Sequence, residues 1–255
     1  MLRIRGLAEI ATQYDAMLID QFGVIHDGQK LYPGTREVLG ELHALKIPVI
    51  VMTNSGKRAA ANVTRLVEMG VPRAQFEDAV SSGEVAFRGL RSAKAFIIGK
   101  RGEEYGFESI EQVSNPADAD EILILGSNAP ETSLEDYRSL LQDVKLPALC
   151  CNPDKFMLTP QGLQPAPGSI AALYEGMGGK VTWIGKPYPS IYLYAMELLN
   201  QPKRVLCIGD SAEHDVAGGR DAGLTTLLVQ QGISAGVSEA EIEPQPDIIC
   251  ETFCW

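Results

Sequence analysis

An α/β fold, built on a doubly wound parallel sheet and interrupted by a second, smaller α/β domain, is what this sequence predicts. Three observations carry that expectation. Strand-like and helix-like segments alternate from end to end, two apolar runs each end on an aspartate, and a block in the middle repeats the alternation on its own. At 255 residues the chain is long enough for one large domain or two modest ones, each with a core.

The first apolar run, Ala16-Met17-Leu18-Ile19, leads into Asp20-Gln21-Phe22-Gly23-Val24. Pro33-Gly34-Thr35 then opens a helix with Val38, Leu39, Leu42 and Leu45 on one face. A second strand over 48–52 delivers Thr53-Asn54-Ser55-Gly56-Lys57 to the edge where Asp20 stands. The next helix presents Ala59, Val63, Leu66 and Val67 on one side and is capped by Gly70. In the middle block, strands are expected at 95–98, 121–125 and 148–151, with a helix near 133–144. The Pro/Gly-rich stretch 159–168 reads as a loop or short hairpin. Residues 181–184 and 205–208 read as strands of the first kind again. The expected division is therefore a core from 1–78 and 183–255, with an inserted α/β domain over 79–182.

Composition narrows the function. The apolar share of 45% and the charged share of 22% describe an ordinary globular protein. A net charge of -11 argues against nucleic acid or an anionic membrane as principal partner. Of the five cysteines, Cys150 and Cys151 are adjacent and Cys207 lies within a strand-like run, so no disulfide framework is expected. Cys250 and Cys254 have a spacing that could pair, yet the reduced state is the expectation. Residues 1–15 mix Arg3, Arg5 and Glu9 and lack the apolar run of a secretory signal. No segment approaches the ~20 apolar residues of a membrane span. A cytoplasmic protein is expected, and the sequence leaves self-association into a homo-oligomer open.

The chemistry gathers in four loops: Asp20 to Val24, Thr53 to Lys57, Gly185-Lys186-Pro187, and Gly209-Asp210-Ser211 with Asp215. In an open parallel sheet, ligands bind beyond the carboxyl ends of the strands. Carboxylates that meet there repel unless a cation or proton lies between them. Mg²⁺ suits such a place, since it takes a few carboxylates and leaves other positions to water and phosphate. Asp20 can attack phosphorus and form an aspartyl phosphate. The Thr53 hydroxyl, with Asn54, Ser55 and nearby backbone N–H groups at a helix start, can hold phosphate oxygens. Lys186 can neutralise charge shared between nucleophile and phosphoryl group, and Asp210 and Asp215 can hold or orient the metal.

At these residues the chain resembles the haloacid dehalogenase-like (HAD) superfamily, and within it the subfamily IIA phosphatases. The resemblance rests on Asp20 with Gly23-Val24, Thr53-Asn54, Lys186-Pro187, and Gly209-Asp210-Ser211 with Asp215 and Ala222-Gly223, in family order over nearly the whole chain. It implies a Rossmann-like core with an α/β cap between the second and third motifs. It implies Asp20 as nucleophile, Thr53 and Lys186 on phosphate, and Asp210 and Asp215 on Mg²⁺. The backbone carbonyl of Phe22 would be a further metal ligand, and Asp154, in Asn152-Pro153-Asp154, would face the substrate from the cap. One position departs from the pattern: the family places a second aspartate two residues after the nucleophile, as general acid and base, where this chain has Phe22. Such proton transfer is worth ~10²–10⁴-fold in rate. Asp27 and His26 are the nearby groups that could supply it.

The function expected is a Mg²⁺-dependent phosphohydrolase acting on a small phosphorylated metabolite, of sugar-phosphate or nucleotide-like kind. A rival from another class is a phospholigand-binding or regulatory protein with little turnover, marked by Phe22. A third reading is phosphoryl transfer to an acceptor other than water.

Overall fold

The structure, a computed structural model, describes residues 1–90 and 94–255. In chain order its strands are β1 (Leu2–Arg3), β2 (Ala16–Asp20), β3 (Val49–Thr53), β4 (Asp78–Ser81), β5 (Lys94–Ile98), β6 (Glu111–Val113), β7 (Glu121–Ile124), β8 (Pro147–Cys150), β9 (Phe156–Thr159), β10 (Gly162–Pro165), β11 (Lys180–Trp183), β12 (Val205–Gly209), β13 (Thr225–Val229) and β14 (Ile248–Cys250). The α-helices are α1 (Thr35–Ala44), α2 (Ala59–Glu68), α3 (Ser82–Gly89), α4 (Leu134–Leu141), α5 (Pro167–Gly176), α6 (Pro189–Leu198) and α7 (Ala217–Asp221). Two compact units emerge: Met1–Thr53, Asn62–Val80 and Lys186–Trp255 form the first, Asn54–Ala61 and Ser81–Gly185 the second.

The first unit is organised by a seven-stranded sheet of order β1-β14-β13-β12-β2-β3-β4. The pairings of β12 with β2 and of β2 with β3 are parallel. From β2 the chain proceeds to β3 and β4 on one side, whereas β12 proceeds to β13 and β14 on the other. The strand order therefore reverses between β2 and β12, and a crevice opens beyond their carboxyl ends. β2, β3 and β12 are buried along their whole length. Covered on both faces, a parallel strand reads as a continuous apolar run rather than an alternating one. Met17, Ile19, Val49, Val51, Leu206 and Ile208 pack with Val38, Leu39 and Leu42 of α1. The opposite face closes a smaller cluster of Val216, Leu228, Ile242 and Ile249.

Helix faces are narrower than their apolar patterns suggest. α1 ends at Ala44, and Leu45 beyond it is exposed. On α2, Leu66 and Asn62 are buried while Val67 turns to solvent, one residue past the stripe that 100° steps keep inward.

The second unit is a five-stranded parallel sheet, β11-β8-β7-β5-β6. Ile122, Ile124, Ala148 and Cys150 on one face meet Tyr137 and Leu141 of α4 and Ile170, Ala171 and Tyr174 of α5. The Tyr174 hydroxyl satisfies itself on the Leu146 carbonyl at 2.7 Å. α4 starts with a reciprocal capping box between Ser133 and Asp136. The Pro/Gly-rich stretch forms an antiparallel hairpin, β9 with β10, before Pro167 opens α5.

Residues 181–184, read from the sequence as a core strand, are corrected by the register. β11 pairs with β8, and Ile184 packs in the cluster of Leu123, Leu125 and Phe107. Its exposed residues alternate with partly buried ones, as an edge strand requires, whereas β2 and β12 are buried throughout. Segment 54–61 also packs in the second unit. A Cβ on Gly56 would fall 2.0 Å from the Leu125 carbonyl oxygen, Arg58 pairs with Glu84 at 2.6 Å, and its guanidinium lies 3.4 Å over the Phe87 ring. Among the described residues no helix is long and apolar enough to cross a membrane, and the cysteines are unbridged.

Leu39 is fully buried beneath β2 and β3. Leu39→Ala should lower unfolding free energy by about 2–5 kcal/mol, the range for core leucine truncations, in urea titrations followed by circular dichroism.

Candidate functional site

Register decides what meets at the crevice. Ile19 lies opposite Ile208, so Asp20 ends β2 beside Gly209, and Asp210 follows at the end of β12. On the other side Asp20 pairs with Met52, which places Thr53 one residue further along the same edge. Asp215 arrives on a single wide helical turn, Ala212–Val216, whose N-terminus Ser211 caps by accepting the His214 N–H. The Ser211 N–H in turn donates to Asp215 Oδ2 at 3.1 Å. A Cβ on Gly209 would fall 1.9 Å from the Asp215 carboxyl carbon, so only glycine lets the turn close on the strand.

Asp20, Asp210 and Asp215 are buried and each offers an oxygen within 4.8 Å of the others'. Lys186, itself buried, donates through Nζ to Asp20 Oδ1 and, at 2.6 Å, to Asp215 Oδ1. Asp210 is held from elsewhere: the Ile233 N–H donates to its Oδ2 at 2.8 Å, and the Ser234 hydroxyl to its carbonyl. Gly23, at φ +95°, lies against the same carboxylate, where a Cβ would fall 1.9 Å from Oδ2. A side chain there would be strained by its backbone and would displace Asp210 as well.

Burial raises the Asp20 carboxyl well above the usual range; Lys186 opposes the shift, while Asp215 and Asp210 add to it. Asp210 is pushed up to about 7, by burial first and by Asp215 next. For Lys186, burial alone would loosen the proton, but Asp20 and Asp215 outweigh it and keep the ammonium charged. With Lys186 bonded to two of three buried acids, the cluster favours protons or added positive charge, and every group it offers a ligand is a carboxylate oxygen. That set fits a hard divalent cation.

Of the other expected residues, Asn54, Ser55 and Asp154 lie in the second unit. The Asn54 amide donates to Asp154 Oδ1 at 2.8 Å, while Ser55 Oγ accepts the Lys57 N–H and its carbonyl accepts the Gly83 N–H. Phe22 is exposed, its ring edge-on to His26 with centroids 5.8 Å apart. The two neighbours named as proton sources lie in different settings, Asp27 engaged by backbone N–H groups and His26 buried with its Nε2 unpartnered among the described residues. Asp27 Oδ1 accepts the N–H groups of Gln29 and Lys30 at 2.9 and 2.8 Å, which hold the carboxyl below its usual range. His26 is buried, its Nδ1 accepts the Gly28 N–H at 3.0 Å, and burial followed by Arg65 pushes it down to about 4. Ile233 and Ser234 hold Asp210 without being marked by the sequence, because Ile233 acts through its backbone N–H and Ser234 through one hydroxyl.

A parallel sheet with acids at its strand-order reversal defines the class: a doubly wound α/β protein with a carboxylate cluster beyond its strand ends. Two family models narrow this, one described as haloacid dehalogenase-like hydrolase over residues 17–138 and one as HAD-hydrolase-like over 183–255. The chain belongs to the haloacid dehalogenase-like hydrolases, and among them to the phosphatase-type subfamily IIA. A haloacid dehalogenase-like hydrolase from Brucella suis superposes with a TM-score of 0.85 at 26% identity, covering 98% of this chain and 99% of that one. A p-nitrophenyl phosphatase from Archaeoglobus fulgidus gives 0.74 at 25% identity, over 94% and 96%. Among curated proteins, a dihydroxyacetone phosphatase of Corynebacterium glutamicum is 27% identical over 90% of this chain and 84% of its own.

The raised carboxyls fix a sign for pH. Asp210 holds its proton more tightly folded than unfolded, so its stabilising contribution is complete below about pH 4 and lost as pH rises through about 7. Metal-free protein in chelator should therefore lose melting temperature over that interval, and the gain on adding Mg²⁺ should grow with pH. Differential scanning fluorimetry from pH 5 to 8 reads both; a Mg²⁺ shift that shrinks as pH rises would contradict the charge balance described here.

Proposed function

We propose that this protein is a divalent-metal-dependent phosphohydrolase acting on small phosphate esters through an aspartyl-phosphate intermediate. The observation that supports it most is Asp20 at the strand-order reversal, bonded to Lys186 and within 4.8 Å of two further buried carboxylates. Asp20 is the nucleophile: its carboxylate oxygen attacks phosphorus and the ester oxygen departs. Water then attacks the phosphorus of the aspartyl phosphate, releasing phosphate and regenerating Asp20. Lys186, fixed between Asp20 and Asp215, offsets the charge that nucleophile and phosphoryl group bring together. The Thr53 hydroxyl is assigned to phosphate oxygens. Asn54, Ser55 and Asp154, which belong to the second unit, are assigned as substrate contacts.

Asp20, Asp210, Asp215 and the Phe22 carbonyl would hold Mg²⁺, which when bound supplies charge neutralisation for the transferred group. The relatives named as phosphatases support this class of reaction. The second unit is proposed to act as a substrate-selecting cap.

Phosphate release from a panel of esters with Mg²⁺ tests the reading directly. Asp20→Asn should lower turnover by more than ~10³-fold on every ester, since it removes the nucleophile. Asp210→Ala should abolish the rise in melting temperature that Mg²⁺ gives the parent protein. Equal Mg²⁺ stabilisation of that variant and its parent would remove Asp210 from the metal site.

A further inference from the structure

We propose that Tyr192 is a positioning residue for the phosphoryl site: its buried hydroxyl, with the Cys207 thiol, fixes the wide turn that holds Asp215 against Lys186. This deepens the phosphohydrolase reading and rests on it. The turn over Ala212–Val216 closes with the Asp215 and Val216 N–H groups both on the Ser211 carbonyl, at 2.9 and 3.1 Å. A turn closed five residues back is rare, occurs mostly as a single turn and is frequent at functional sites. Two side chains grip this one from the core. The Tyr192 hydroxyl donates to the His214 carbonyl at 3.1 Å, and the Cys207 thiol donates to the Asp215 carbonyl at 3.7 Å. Tyr192 comes from α6 and Cys207 from the middle of β12, and both are buried. Successive carbonyls of the turn are thus tied to two different elements.

The alternation of β12 sets this arrangement. Cys207 and Gly209 lie on one face of the strand. The Asp215 carboxyl stands over Gly209, and the Asp215 carbonyl accepts from Cys207. The start of α7 is cut back to admit both anchors. A Cβ on Gly218 would fall 2.5 Å from the Tyr192 hydroxyl oxygen, and one on Gly219 would fall 3.2 Å from the Cys207 sulfur. Burial raises the hydroxyl and the thiol well above their usual ranges and Asp215 adds to each, so both stay protonated and able to donate. They serve a carboxylate whose two oxygens are already committed. Asp215 Oδ1 accepts Lys186 Nζ at 2.6 Å, and Oδ2 accepts the Ser211 N–H at 3.1 Å. A turn free to shift would loosen Lys186 and alter the spacing of Asp215 from Asp20 and Asp210. A misplacement of about 1 Å at a reacting centre can cost about 10²-fold in rate.

Tyr192→Phe keeps the ring against Gly218 and deletes only the hydroxyl. Three quantities test it at 25 °C: kcat and KM for nitrophenyl phosphate with Mg²⁺, the Mg²⁺ dissociation constant from calorimetric titration, and amide hydrogen exchange of residues 211–216 in metal-free protein. Tyr192→Phe should lower kcat about three- to tenfold, the value of one neutral hydrogen bond, with KM within about twofold of the parent's. It should weaken Mg²⁺ by a similar factor and speed exchange over 211–216. Cys207→Ser, which keeps a donor, should stay near the parent, whereas Cys207→Ala should follow Tyr192→Phe more weakly, because a thiol is a weak donor. Leu39→Ala supplies the signature of lost stability alone: a lower melting temperature with the parent's kcat and Mg²⁺ affinity. A Tyr192→Phe protein with the parent's kcat, Mg²⁺ affinity and exchange overturns the positioning role. So does a fall in kcat that Leu39→Ala reproduces at equal loss of melting temperature. Parent activity no higher than that of Asp20→Asn overturns the phosphohydrolase reading instead, and Mg²⁺ affinity and exchange then decide the role of Tyr192.

Discussion

Three carboxylates held out of water within 4.8 Å of one another set the terms for this molecule. Like charges in a low-dielectric setting repel, and burial penalises each charge separately. Lys186 relieves part of that tension by donating to Asp20 and Asp215, while Asp210 relies on the backbone N–H of Ile233. Much of the local sequence exists to permit this crowding. Gly23 and Gly209 leave no side chain where the carboxylates stand, and Ser211 ties the turn that presents Asp215. The tension is useful: three buried acids held this close favour whatever brings positive charge to them.

The sheet converts chain topology into chemistry. β2 and β12 are adjacent although their connections run in opposite directions, so the ends of both strands are left uncovered. Asp20 and Asp210 occupy those ends because each follows an apolar run long enough to be a buried strand and no longer. Thr53 joins them because β3 pairs in a register that ends one residue later.

Much of this was legible in the residues. Runs such as 16–19 and 205–208 are apolar without alternation, a pattern peculiar to strands covered on both faces, and aspartate after each marks the strand end. Residues 181–184 show where such reading stops: period and composition identify a strand, but pairing with β8 rather than β12 depends on partners distant in sequence. Leu45 and Val67 failed for a local reason, lying at the margins of helical stripes where one residue's rotation exposes a side chain. Ile233 and Ser234 act on Asp210 chiefly through a backbone N–H and a short hydroxyl contact, which leave no trace in residue type.

The division of the chain has a consequence for the order in which the molecule is made. Residues 81–185 form most of one unit as a single unbroken stretch, whereas the seven-stranded sheet is assembled from three separated stretches. On the ribosome β2 emerges early, yet its partner β12 begins only at Val205. Closing so long an intervening loop is cheap in equilibrium terms, about 0.6 kcal/mol per doubling, but pairing must wait for synthesis. Until then β2 offers one unpaired, apolar flank, the kind of edge on which nascent chains stick to one another. The crevice where Asp20 meets Asp210 thus comes into existence only after residues 81–185 have been made, and the arrival of β12 is what covers the waiting flank of β2.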